Sequence, residues 1–253
     1  MPSAFFFQSR ILSSNRLEST NLMAMERLRS GNAMHGDVIM ATYQTSGRGQ
    51  AGNTWYSTEG NNVLVSFICK DIDLEPERLP VLNMLVSIAV HHVIANFFPV
   101  GTAIKWPNDI LVNDKKIAGI LIETTLSGGM VKHAILGIGI NINEPYFPSS
   151  LPFACSFHSI TGQYYDIDMV FKMLFEQLDT TLSRLKQVDF IELQKSYEPL
   201  MFGIGVKRYF RTPETKFEGV IEGINHHGQL LIETPQGPLT FNNKEIVFDL
   251  SGH

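Results

Sequence analysis

Covalent and metallic reinforcement is scarce in this sequence. Its two cysteines, Cys69 and Cys155, lie in unrelated contexts, and such a pair builds neither a disulfide framework nor a zinc site. They read as buried thiols in a reducing compartment. Charge is sparse too. Only 18% of residues are charged and the formal net charge is −5, so no global positive field draws the chain to nucleic acid. An anionic substrate must be met by a local cluster of cations. No apolar run reads as long enough to cross a bilayer. Phe5-Phe6-Phe7 lacks the basic and long apolar regions of a signal peptide. Low-complexity tracts and internal repeats are also missing. These absences lead to the expectation of a cytoplasmic globular protein. With 253 residues, 44% of them hydrophobic, the chain can bury one large core and a small one.

The pattern along the chain is a strand or loop at Ile11 to Leu17, then a helix over Asn21 to Arg29. Ser19 stands at the helix N-cap position and Gly31 at its stop. Asp37 to Gln44 and Asn62 to Cys69 read as strands, separated by a polar, glycine-containing loop. Apolar residues at helical spacing fill Glu77 to Phe98, with Pro99 as terminator. Four β segments follow: Thr102 to Trp106, Ile110 to Val112, Ile117 to Thr124 and Val131 to Ile142. Asn113-Asp114 and Ser127-Gly128-Gly129 supply turns between them. Helical patterns return at Ser156 to Thr161, Asp168 to Lys186 and Phe190 to Tyr197. Short strands then run from Val206 to Phe248. This order predicts an α+β fold: a mixed β-sheet with flanking helices in residues 1–200, and a small β-barrel in 201–253 that leans on it.

Gly47-Arg48-Gly49-Gln50-Ala51-Gly52 satisfies G-x-G-x-x-G. A dinucleotide site needs a helix directly afterwards to hold the pyrophosphate. Here a polar stretch and a strand follow instead, and no P-loop lysine is present. Arg48 between two glycines lets backbone N–H groups and a guanidinium approach one anion. Trp55 in so polar a loop needs something to stack on. A ligand-binding loop and a plain surface loop fit these residues about equally well.

Further segments break the tie. Gln44 and Gly47-Arg48-Gly49, with Gly52 and Trp55, resemble the biotin-loop signature of biotin–protein ligases. Lys105-Trp106-Pro107-Asn108-Asp109 resembles the second signature of that family. Lys116-Ile117-Ala118-Gly119-Ile120-Leu121-Ile122-Glu123 resembles the third, and Gly137-Ile138-Gly139-Ile140-Asn141-Ile142-Asn143 the fourth. Ser19-Thr20-Asn21 matches a short N-terminal biotin contact. Each segment alone also has a plain structural reading: a Pro-Asn-Asp turn, glycines admitting close backbone approach, a solvated lysine, a helix cap. In order and together they are specific, and they span nearly the whole chain.

The resemblance implies a catalytic domain like that of class II aminoacyl-tRNA synthetases, plus an SH3-like C-terminal barrel. It implies an ATP-dependent ligase that forms biotinyl-5′-AMP and passes biotin to a lysine of a biotin carboxyl carrier protein. Lys116 and Arg48 are the implied catalytic cations. Ser19, Thr20, Asn21, Gln44, Gly47, Arg48, Gly49, Gln50, Lys116 and Gly119 are the implied biotin contacts. Trp55, Lys105, Asn108, Gly139 and Asn141 are the implied nucleotide contacts. Mg²⁺ would arrive with ATP, with Asp109 a weak candidate ligand and no tightly bound metal. The paired histidines His91-His92 and His226-His227 receive no role.

The resemblance also implies the option of a homodimer through the central sheet. No DNA or membrane partner is expected. Eighteen residues before Ser19 are too few for a helix-turn-helix domain, so a ligase without repressor function is expected. Many family members carry arginine where Gln50 and Asn53 stand, so this loop is expected to retain the adenylate less tightly. A lipoate–protein ligase is the nearest rival, and a non-catalytic biotin or nucleotide sensor the rival of another class.

Overall fold

The computed structural model describes residues 10–249; Phe5-Phe6-Phe7 lies outside them. Seven strands form one mixed sheet in the order β1-β2-β3-β7-β6-β5-β4. These are β1 (Arg10–Leu17), β2 (Asp37–Gln44), β3 (Asn62–Cys69), β4 (Thr102–Lys105), β5 (Asp109–Val112), β6 (Lys115–Ser127) and β7 (Met130–Asn141). Only β1 and β2 pair in parallel, because helix α1 (Thr20–Arg29) carries the chain back between them. The interior strand β3 is buried at every position, as expected for a strand covered on both faces.

The turns fall where their residues demand. Asn113 and Asp114 have φ of 48° and 64°, and Gly128 and Gly129 have φ of 61° and 78°. Successive left-handed residues make the tight turns that match strand twist.

Helix α2 (Leu79–Ala95) is shorter than its apolar pattern. A 3₁₀ turn, Pro76–Arg78, precedes it. The last turn tightens through Phe97 N–H to Ile94 O at 3.0 Å, so the helix ends before Pro99 can stop it. With that first turn, Pro76–Ala95 makes 20 residues apolar enough to cross a membrane. This corrects the expectation that no segment has that length. The helix lies in the core, 67% of its most apolar window being buried. After the short helix α3 (Phe157–Thr161) comes α4 (Ile167–Leu182), which packs on α2 and touches β3, while α2 touches β5 and β6. Helix α1 packs on β2, β3 and β7, with Ala24, Ile39, Ile68 and Ile135 as its own small apolar cluster.

A five-stranded antiparallel sheet, in the order β11-β10-β9-β8-β12, occupies the C-terminal part. Its strands are β8 (Lys207–Arg211), β9 (Lys216–Ile224), β10 (Leu230–Thr234), β11 (Gly237–Phe241) and β12 (Val247–Phe248). Residue spans match the sequence expectation closely, although β12 is two residues long. This sheet is docked, not tethered. Phe202 N–H donates to Ile104 O at 2.8 Å, and Trp106 Nε1 donates to Gly228 O at 3.0 Å. Phe210, Ile221, Leu230 and Phe248 join the same core cluster as the large sheet. A unit this small gains the burial it needs from that shared core.

Candidate active site

The N-terminus of α1 meets the sheet over β3, β6 and β7. Ser19 holds the N-cap position with extended backbone but makes no capping hydrogen bond. Gln44 does that work instead: its Oε1 accepts from Thr20 N–H at 2.7 Å and from Thr20 Oγ1 at 3.1 Å. The Ser19 hydroxyl is thereby spared for the cleft it lines. Ser66, fully buried on β3, lies 2.7 Å from Thr20 Oγ1 and donates to Asn21 Oδ1 at 2.6 Å. Asn21 Nδ2 donates to Glu123 at 2.8 Å. Both ends of the Asn21 amide are therefore oriented by fixed partners, which is the preorganisation a polar ligand head needs.

The sheet beneath is floored by glycine. Gly137 has no room for a Cβ because the Asn21 amide fills it. A Cβ on Gly139 would sit 2.5 Å from Trp55 Cε2, and one on Gly119 would sit 2.7 Å from Trp55 Cζ3. The space over Gly139, expected from the sequence to suit an adenine, is taken by this indole. Trp55 is half-buried, lying flat on the sheet, and its Nε1 is enclosed without a hydrogen-bond partner.

Lys116 reaches this floor through a bulge. Ile110 pairs with Ala118, but Leu111 pairs with Lys116, leaving Ile117 extra. Strict alternation would put Lys116 and Gly119, three apart, on opposite faces. The bulge reverses the pleat, and Lys116 Cε comes within 3.2 Å of a Cβ built on Gly119. Its backbone is clamped by Phe153 O and Cys155 N–H at 2.6 and 2.9 Å. Lys116 Nζ pairs with Asp109 Oδ1 at 2.6 Å and lies 5.5 Å from the Trp55 ring centroid.

Two clefts meet at Lys116. One, of about 40 Å³, is lined by Ser19, Thr20, Asn21, Gln44, Arg48 and Gly137 among others. The second, of about 240 Å³, is lined by Lys105, Trp106, Asp109, Asn243, Lys244 and Phe248 among others. Gly49, Gln50, Trp55, Asn108 and Lys116 line both. The clefts differ in character: the first is ringed by amide and hydroxyl groups, the second by cations and the small C-terminal sheet.

Burial pushes the Lys105 ammonium below the usual lysine range; Lys116 adds to this and Asp109 opposes it. Asn108 is buried, and its Nδ2 donates to Ile120 O at 2.5 Å. Asn141 departs from expectation. It is 3% exposed, donates to Cys155 O at 3.0 Å and lines neither cleft. It shares a sheet face with Gly137 and Gly139, but at the end of β7 it clasps the segment that holds Lys116.

The glycine-rich loop is a small hairpin. Trp55 N–H donates to Gly47 O at 2.8 Å and Gly49 N–H to Asn53 O at 2.7 Å, around a 3₁₀ turn at Gln50–Gly52. No α-helix follows, so the dinucleotide geometry is excluded. Gly47 is needed because a Cβ there would meet Trp55 O at 2.6 Å. Arg48 pairs with Glu123 at 3.2 Å, the same carboxylate that holds Asn21. Gln50 is not simply a lost charge: its Oε1 accepts from Asn243 Nδ2 at 2.7 Å.

Ser66, Glu123, Asn243 and Lys244 were not among the residues singled out from sequence. Glu123 closes the third signature and was the one with a signal. The others become visible only when distant segments meet. Among the described residues no three His, Cys, Asp or Glu side chains are grouped to hold a metal. Both cysteines are buried and free, and burial pushes the Cys155 thiol up to about 12.

Comparison with known proteins agrees with this geometry. The model of the biotin/lipoate A/B protein ligase family matches residues 13–141. The bifunctional ligase/repressor BirA of Bacillus subtilis (strain 168) is 35% identical over 224 residues, covering 87% of this chain and 68% of that protein. The biotin–acetyl-CoA-carboxylase ligase of Paracoccus denitrificans is 27% identical, covering 92% of this chain and 98% of its own. A solved structure of the biotin protein ligase from Aquifex aeolicus, in complex with biotin and ATP, has a TM-score of 0.78 at 28% identity. It covers 95% of this chain and 98% of that one. The chain therefore belongs to the biotin/lipoate A/B protein ligase family.

Proposed function

We propose that this chain is a biotin–protein ligase that condenses biotin with ATP and passes the biotinyl group to a lysine of a biotin carboxyl carrier domain. The observation that carries this reading is the pair of clefts joined at Lys116. One suits a neutral polar head and the other a polyanion, and a cation stands where the two would react. In this reading the described residues up to 200 are the catalytic unit, and those from 201 on are the small β unit that completes the second cleft.

In the first half-reaction a biotin carboxylate oxygen attacks the α-phosphorus of ATP. The new carboxyl–phosphate bond forms as the bond to the β-phosphate oxygen breaks, and pyrophosphate leaves. No nucleophile from the protein is required; positioning and cationic stabilisation do the work. Ser19, Thr20, Asn21 and Gln44 hold the ureido head. Lys116 bridges the carboxylate and the α-phosphate. Arg48 exchanges Glu123 for the adenylate. Lys105 and Asn108 serve the nucleotide, and Trp55 covers the adenylate and excludes water.

Asp109, already paired with Lys116, is the one carboxylate among the described residues that lines the second cleft. That fits Mg²⁺ held mainly by phosphate and water, with at most this ligand; bound there, the ion would screen phosphate charge. In the second half-reaction the acceptor amine attacks the carbonyl carbon, AMP leaves, and the amine loses a proton.

The deciding experiment incubates the protein with ATP, Mg²⁺, biotin and a carrier domain. Biotin-dependent pyrophosphate release and a mass gain of one biotinyl group on the carrier are expected. Release with lipoate but not biotin would decide for a lipoate ligase, and no release with either for a sensor.

The lowered Lys105 gives a pH prediction. As pH rises, Lys105 loses its charge before an exposed lysine does, so KM for ATP should climb at a pH below that at which an exposed lysine deprotonates. In Lys105→Arg the guanidinium stays charged, and the climb should disappear. Identical pH profiles of KM would reject a phosphate-facing role for Lys105.

A further inference from the structure

We propose that Asn243, at the tip of the small C-terminal sheet, is a positioning residue that latches the glycine-rich loop over the junction of the two clefts. The latch is the hydrogen bond from Asn243 Nδ2 to Gln50 Oε1 at 2.7 Å, and its catalytic consequence rests on the adenylation reading above.

The two sides of the bond differ in stiffness. The tip after β11 is tied down from within. Asn242 donates to Glu245 from its backbone at 2.6 Å and from Nδ2 at 2.9 Å. Gln229 Nε2 donates to Asn242 Oδ1 at 2.9 Å, and Asn225 Nδ2 to Gln229 Oε1 at 2.8 Å. Ile246 and Phe248, just beyond, are buried in the shared core. Lys244 completes the turn with a left-handed φ of 75°. Asn243 is therefore presented on a preorganised support.

The loop is the yielding partner. Gly47, Gly49 and Gly52 lower its stiffness, and its two hairpin hydrogen bonds do not attach its tip to anything else. Gln50 stands at that tip, while Arg48 and Trp55 stand on its two arms. Holding Gln50 consequently fixes where Arg48 and Trp55 lie over the floor. A lever of this kind lets the small C-terminal unit control how long the adenylate stays covered, without Asn243 touching it.

The test uses Asn243→Ala, Gln50→Ala, the double variant, and the exchanged pair Gln50→Asn with Asn243→Gln, which keeps the summed side-chain length. Amide exchange across residues 47–57 and the release rate of preformed biotinyl-AMP are measured in the full chain. One net hydrogen bond corresponds to about a three- to tenfold change. Both single variants should exchange and release faster by about that factor. The double variant should be no faster than either single one, and the exchanged pair should return toward the parent rates. Unchanged exchange in 47–57, or additive effects in the double variant, would overturn the latch.

Gln50→Ala lies outside the small sheet and carries the test if Asn243→Ala unfolds that sheet. A parent protein that makes no biotinyl-AMP would overturn the ligase reading, while the exchange data would still decide on the latch.

Discussion

Lys116→Gln is expected to lower the single-turnover rate of biotinyl-AMP formation by about 10³-fold. Lys116 is the one cation that lines both clefts from the sheet floor, and it stands at their junction. Charge migrates through that junction as the α-phosphate is attacked. A fixed ammonium there stabilises the transition state more than the separated substrates, so the loss should fall on kcat and not on KM for biotin. Stability should change little. The Lys116–Asp109 pair is partly exposed on both sides, and such pairs contribute about 0–1 kcal/mol. A melting temperature near the parent value, with the rate collapsed, is the expected signature. A rate within tenfold of the parent would reject Lys116 as the bridging cation.

Gly137→Ala should abolish useful biotin affinity with a single methyl group. The new Cβ overlaps the Asn21 amide. That amide cannot simply swing aside, because Ser66, Leu121 O and Glu123 hold it. Overpacking of this kind costs about 1–3 kcal/mol, or roughly 2–10 °C in melting temperature for a chain of this size. Moving Asn21 also tilts Thr20, so several ligand contacts shift together, and a loss of about 10- to 100-fold in biotin affinity is expected.

Isothermal titration with biotin reads the affinity directly. Adding Asn21→Ala to Gly137→Ala relieves the overlap, so the melting temperature should recover while biotin affinity does not. Parent-like biotin binding in Gly137→Ala would show that Asn21 is not a biotin contact.

The neighbouring glycines make a contrast. Gly139 and Gly119 spare room for Trp55, a loop residue that can retreat. Alanine at either position should therefore act on the covering of the adenylate more than on biotin affinity. The floor thus has two halves that differ in what sits on them, although all three glycines look alike in sequence.

Much of the fold was legible from pattern. Period-2 and period-3.6 alternation located the strands and helices, and Asn113-Asp114 and Gly128-Gly129 marked their own turns, because these properties depend on nearest neighbours. The motif residues were legible as a set for the same reason: each signature is a local run. The length of α2 was less so, since its apolar pattern continues past the point where packing ends the helix. Asn141, expected to be a nucleotide contact, lines neither cleft and holds Cys155 O instead, because alternation within β7 tells which residues share a face, not what lies on that face.

What only the tertiary structure decided is how these local runs combine. Lys116 faces the glycine floor because a bulge opposite Leu111 reverses the pleat, and a bulge depends on the register of two strands. Gln44 caps α1 from β2, and Glu123 holds Asn21 and Arg48 together across 102 and 75 residues of chain. Gln50 finds Asn243 across |i−j| of 193. Hydrogen bonds and ion pairs over such separations come from the path of the whole backbone, which no local pattern encodes. The sequence by itself determined the elements, the signatures and the scarcity of charge that makes a local cation cluster necessary. Packing of the two sheets determined where that cluster stands, which carboxylates restrain it, and which side chain holds the loop above it.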